Sequence, residues 1–149
     1  MSAEDPRKVL RSMHEALNKG DVEKAVSFVA DDVVGITPDG TFNGKAENKR
    51  YFEWMLHNAA ENKLSDLKLT ETGIYAEGNA VTHEYVMGGT TREGKMSVPA
   101  VAVAEIKNGK VQRVHMYYDR LALAKQMARG VVATRTVNAM ISRMEKGLH

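Results

Sequence analysis

Along the first third of the chain, apolar residues recur at the three- and four-residue spacing of a helix. Val9, Leu10, Met13, His14 and Leu17 form one stripe. Asp5-Pro6 ahead of it is a start signal, because the aspartate side chain caps free amides and the proline stands where a missing N–H costs nothing. Gly20 ends the stripe, and Asp21 opens a second short helix with Val22, Ala25, Val26 and Val29 on its apolar side. The two helices therefore form a hairpin about Lys19-Gly20-Asp21. Asp31-Asp32 closes the second helix, residues 33–37 read as a short strand, and Pro38-Asp39-Gly40 has the chemistry of a turn. A third helix, about residues 46–58, carries Tyr51, Phe52, Met55 and Leu56 on one side, with Trp54 at the flank.

After that helix the period changes to two. Leu67 and Leu69 alternate with Asp66, Lys68 and Thr70, and Glu77-Gly78-Asn79 breaks the run. Val81, His83, Tyr85 and Met87 alternate with Thr82 and Glu84, Gly88-Gly89 reads as the start of a loop, and residues 98–106 form another strand. Asn108-Gly109 is a hairpin signal, since both residues tolerate the positive φ of a two-residue turn, and the return strand covers residues 110–118. If Lys107 faces Lys110, Val103 faces Val114 and Val101 faces Met116. These four and Tyr118 then make an apolar face directed at the helices. Ala100, Ala102, Ala104, Arg113, His115 and Tyr117 are left on the outer face, which reads as a homodimer surface or as solvated sheet. Asp119 caps a helix over 121–127, and an amphipathic segment follows over 132–144.

This order, helices then a strand meander then helices, predicts an α+β chain with one sheet face covered. At 149 residues it fits one domain, 1–149, with 128–149 a C-terminal helical extension. The absence of cysteine excludes disulfides and thiolate chemistry. A net charge of +2 without a basic run argues against nucleic acid. No apolar stretch reaches membrane-spanning length, so the expectation is a soluble, cytoplasmic protein with no membrane partner. Neither a metal nor a cofactor is implied: no His/carboxylate set shares a face at ligand spacing, and Gly88-Gly89 lacks the strand-to-helix context of a phosphate loop.

The stretch ALNKGDVEKAVSFVADDVV, the proline turn and FNGKAENKRYFEWM resemble the entry of the SnoaL-like proteins of the nuclear-transport-factor-two-like superfamily. IKNGKVQRVHMYYDRLALAKQM is similar to that family's ending: an Asn-Gly turn, an aromatic-Asp pair, then a helix. The resemblance implies a cone-shaped fold, a curved antiparallel sheet packed on N-terminal helices around an apolar pocket. Function is less defined, because the scaffold hosts polyketide cyclases, isomerases, hydrolases and pure binding modules. The proton-moving and oxyanion positions of its steroid isomerases fall on Thr37, Met13 and Val101, none of which can do that work. The aspartate–arginine–aspartate set of limonene-epoxide hydrolase falls on Met87, Tyr85 and Met116, and its water-holding pair on Val34 and Ile36. Those charged groups are absent too.

The comparison places Tyr85, Met87 and Met116 on the concave side, and alternation adds His83. The expected ligand-binding set is Met13, His14, Val34, Ile36, Trp54, Met87, Val101, Val103, Val114 and Met116. His83 is the candidate acid/base, since imidazole titrates near neutrality, against the alternative of a hydrogen-bonded core histidine. Tyr85 is the candidate donor to a carbonyl oxygen, against simple amphipathic packing. Asp119 matches a pocket aspartate of the family's cyclases, against the plainer role of helix cap. Two functions stay open: a cofactor-independent cyclase or isomerase acting by acid–base catalysis on a small apolar carbonyl compound, and a non-catalytic module for hydrophobic ligand binding or dimerisation.

Overall fold

The computed structural model describes residues 5–61, 65–91, 94–128 and 130–148. Helices α1 (Pro6–Asn18) and α2 (Val22–Val26) come first, then strands β1 (Val29–Thr37) and β2 (Gly40–Asn43) and helix α3 (Gly44–Glu61). Strands β3 (Ser65–Glu77), β4 (Ala80–Thr91), β5 (Gly94–Lys107) and β6 (Lys110–Tyr118) follow, then helices α4 (Arg120–Met127) and α5 (Gly130–Met144). The strands form one six-stranded sheet in the order β2-β1-β6-β5-β4-β3. Its neighbours are antiparallel except β1 and β6, which run parallel.

Helix starts follow the sequence signals. Asp5 accepts from the Arg7 amide at 3.1 Å and Asp21 from the Lys24 amide at 2.9 Å. The stripe on α1 buries Val9, Leu10, Met13, His14 and Leu17, and the core continues through Ala25, Val26, Val33, Tyr51, Phe52, Val81, Ile106 and Val111. Each fully buried aliphatic side chain contributes about 1.5–3 kcal/mol relative to an exposed one. Two polar contacts lock α1 onto β3. Asn18 donates to the Leu69 carbonyl at 3.0 Å and accepts from the Leu69 amide at 2.7 Å. Arg11 makes a bidentate pair with Glu71 at 2.9 and 2.8 Å.

Several boundaries differ from the pattern-based expectation. β1 begins at Val29, inside the segment expected to end α2, because Val29 pairs with Val111 and the Val111 amide donates to the Phe28 carbonyl at 2.8 Å. The exposed Asp31 and Asp32 occupy an irregularity in that strand. Gly40 to Asn43 pair back onto β1, so the proline turn is the tip of a hairpin. Gly88-Gly89 is strand rather than loop, with Gly88 opposite Ser97 and Gly89 opposite Met96.

The larger correction concerns the faces of β5. Asn108 and Gly109 adopt φ of 52° and 68°, and Lys107 pairs with Lys110, as the hairpin signal requires. Between Ile106↔Val111 and Glu105↔Arg113, however, Gln112 is an extra residue on β6. Its side chain donates to the Lys107 carbonyl at 3.2 Å. A bulge displaces all later pairing by one position, and a one-residue slip exchanges the faces. Ala102 therefore faces Met116 and Ala104 faces Val114, all inward, while Val103 lies beside His115 and Val101 beside Tyr117 on the outer face.

Val34 and Ile36 are corrected likewise. They lie beside Arg113 and His115 on the outer face, and Gly35 faces inward with Val114. Asn48 of α3 packs so closely there that a Cβ on Gly35 would stand 2.2 Å from Asn48 Oδ1. Of the expected lining residues, Val34, Ile36, Val101 and Val103 thus leave the concave side. Met13, His14 and Met87 are buried there, and Val114 and Met116 pack against the core.

Candidate functional site

Three polar side chains converge inside this apolar shell. His14 sits one turn after Leu10 on the buried stripe of α1. His83 and Tyr85 share the inward parity of β4 with Val81 and Met87. Opposite them on β5 stand small residues, Ala102 beside His83 and Ala100 beside Tyr85, which leave room for the rings. His14 and His83 stack with centroids 4.5 Å apart, and Tyr85 meets His14 edge-on at 4.7 Å. His14, His83 and Tyr85 are only 6%, 2% and 1% exposed.

Among the described residues, none forms a hydrogen bond with His14 Nδ1, His83 Nδ1 or the Tyr85 hydroxyl. A buried donor or acceptor left so costs about 1–3 kcal/mol, so three in one spot are a feature that packing alone does not favour. Burial pushes His14 down to about 3, with the neighbouring His83 adding to the effect. Burial also lowers His83, outweighing the opposing pull of Glu71, and it raises Tyr85. Near neutral pH the cluster is therefore two neutral imidazoles and a neutral phenol.

Glu71 and Arg11 were not foreseen from sequence. β3 carries an irregularity between Glu71↔Tyr85 and Gly73↔Glu84, so Glu71 and Ile74 both pair with inward residues despite their odd spacing. Glu71 Oε2 stands 3.0 Å from His83 Nε2, a contact that departs from an in-line hydrogen bond and becomes an ion pair when the ring is protonated. Arg11 beside it, with Oε1 and Oε2 both engaged, holds the Glu71 carboxyl below the usual carboxylate range. Strict alternation along β3 hides this carboxylate, and nothing local marks the irregularity.

A second polar group lies at the β1–β2 turn. Asp39 Oδ2 accepts from the Tyr51 hydroxyl at 3.2 Å and from the Tyr118 hydroxyl, joining the turn to α3 and the end of β6. Burial is the main reason that Tyr51 is raised to about 12. The clue in sequence was a carboxylate two residues past Thr37, the position to which the resemblance led. Clefts open on both sides of this group. One, of about 370 Å³, is lined by Pro38, Pro99, Ala100, Val101, Tyr117, Tyr118 and Asp119. The other, of about 280 Å³, is lined by Asp39, Phe42, Glu47, Arg50, Tyr51 and Trp54.

Trp54 stacks on Tyr51 at 5.8 Å and is 47% exposed, at the flank as expected. Asp119 caps α4: its Oδ1 accepts from the Leu121 and Ala122 amides at 2.8 and 2.9 Å. The residue is exposed, and one of its two carboxylate oxygens serves the cap.

The chain belongs to the SnoaL-like domain family, whose model matches residues 10–114. No curated protein matches it in sequence. Solved structures share the fold. A candidate polyketide cyclase from Xanthomonas campestris superposes with a TM-score of 0.70 at 22% identity, covering 82% of this chain and 96% of that one. A protein with a ketosteroid isomerase-like fold from Catenulispora acidiphila, in complex with trimethylamine, gives 0.70 at 17% identity, covering 82% and 93%. TerC, co-crystallised with polyporic acid, gives 0.71 at 18% identity, covering 83% and 98%. All three speak to fold alone.

Proposed function

We propose that the cone binds a small apolar compound bearing a carbonyl group and exchanges a proton beside it, as a cofactor-independent cyclase or isomerase does. The observation carrying this reading is the convergence of His14, His83 and Tyr85 with unpartnered polar atoms inside a shell of Met13, Met87, Val114 and Met116. Tyr85, kept neutral by its burial, donates to the carbonyl oxygen. His83, neutral near pH 7, takes a proton from the adjacent carbon and returns it. The methionines suit an adaptable apolar ligand. The family's cyclase-type neighbours and ligand complexes agree with this reading.

The test uses 2-tetralone in deuterium oxide, with uptake at its activated carbon followed by NMR. The wild type accelerates uptake, His83→Ala abolishes the acceleration, and Tyr85→Phe lowers it by about 10²-fold, the usual loss for one oxyanion donor. Acceleration and affinity unchanged in His83→Ala would remove His83 from the chemistry.

The outer sheet face favours a second reading, a homodimer through that surface. Val103, Tyr117 and Tyr75 are 41%, 50% and 60% exposed there. Light scattering over a dilution series decides it: a monomer at every concentration sinks the dimer, whatever the cone binds.

A further inference from the structure

A histidine can act as a base only through the ring nitrogen that lacks the proton, and a partner on the other nitrogen decides which one that is. His83 has such an asymmetry. Neither ring nitrogen makes an in-line hydrogen bond among the described residues, but Nε2 lies 3.0 Å from Glu71 Oε2 in the seam between α1 and β3, and no such carboxylate contact is made by Nδ1. Glu71 is itself fixed, because both its oxygens engage Arg11, and its side chain is 34% exposed where His83 is 2% exposed.

Among the described groups packed around His83, Glu71 is the charge that favours its protonated form, and the more weakly acting Arg11 opposes it. From α1 come Arg11, already paired with Glu71, and His14, which burial keeps neutral. On β4 the nearby titratable group is Tyr85, also neutral, and the adjoining residue on β5 is Ala102.

We propose that Glu71, clamped by Arg11, is the positioning residue of His83. It holds the proton on Nε2 and leaves Nδ1 as the basic nitrogen. When Nδ1 takes a proton, the resulting imidazolium is stabilised by the adjacent Glu71 carboxylate, whose pull outweighs the opposing charge of Arg11. When it gives the proton back, the neutral ring and its tautomer are restored, so no net charge stays buried. This rests on the reading of His83 as proton carrier, yet it is measured without any ligand.

The experiment is a long-range proton–nitrogen correlation spectrum of the full chain's histidine rings at pH 7.5, with His83→Gln used for assignment. In the wild type, His83 is expected with Nε2 protonated and Nδ1 bare. In Glu71→Gln that excess is lost and the titration of His83 moves to lower pH. Glu71→Asp keeps the Nε2–H form, and Arg11→Met, which leaves the carboxylate present, keeps it too. A wild-type His83 protonated on Nδ1 overturns the proposal by itself, with no variant required, and so does a Glu71→Gln spectrum identical to the wild type. If the tautomer is as stated but His83→Ala leaves tetralone exchange unchanged, the catalytic reading falls and the positioning role stands.

Discussion

The rings of His14 and His83 lie face to face, 24° from parallel, one carried by α1 and the other by β4. Two imidazoles this close cannot both be charged in a buried site, and the pair ties the protonation of the core to the docking of α1 on the sheet.

Acid should therefore loosen the fold. His14 has a folded value of about 3 against an ordinary 6.5, so the unfolded chain binds the extra proton between those limits. The stability that this residue contributes is whole above pH 6.5 and is lost as pH falls toward 3, with a slope of up to about 1.4 kcal/mol per pH unit. The lowered His83 acts in the same direction. Denaturant unfolding at pH 7.5 and pH 5 should show this loss in the wild type and a shallower one in His14→Gln. Equal losses in both would mean that His14 is not the titrating group.

The register of β5 predicts an inversion of mutational cost between neighbours. Ala102 sits between His83 and Met116 on the inner face, so Ala102→Leu overpacks the core and should cost about 1–3 kcal/mol. Val103→Thr on the exposed outer face should stay within about 0.5 kcal/mol. Urea midpoints of the two variants read the difference directly. The opposite ranking would restore the unbulged pairing.

Gly35 and Asn48 should be energetically coupled. Gly35→Ala would force its Cβ against Asn48 Oδ1, while the Asn48 amide donates to the carbonyls of Phe42 and Gly44 at 3.0 and 2.9 Å and resists moving. The single Gly35→Ala change should cost about 1–3 kcal/mol, and much less when introduced into Asn48→Ala. A double-mutant cycle by thermal or urea melts measures the coupling. Strict additivity would show that the two groups do not meet.

Much of the architecture was legible in the chain because its cues are local. Helix caps at Asp5, Asp21 and Asp119, the α1 stripe and the Asn108-Gly109 turn each depend on residues a few positions apart, and each forms as read. The inward parity of β4 was available too, so His83, Tyr85 and Met87 were found. β5 held a clue that the hairpin argument overrode. Met96, Val98, Ala100, Ala102, Ala104 and Ile106 make one uninterrupted nonpolar parity, whereas Ser97, Glu105 and Lys107 mark the other as outer.

Tertiary structure alone decided the rest. The extra residue at Gln112 and the irregularities in β1 and β3 are properties of a strand and its partner together, so neither strand announces them. They moved Val34, Ile36, Val101 and Val103 outward and turned Glu71 inward, because a period-two pattern has no memory of phase once one residue is added. The sequence by itself determined that a histidine and a tyrosine would share the concave face. It also put His14 in the expected set, but the stacking of His14 on His83 and the inward carboxylate of Glu71 came from packing a helix near the start of the chain against strands whose distance along it no local rule can span.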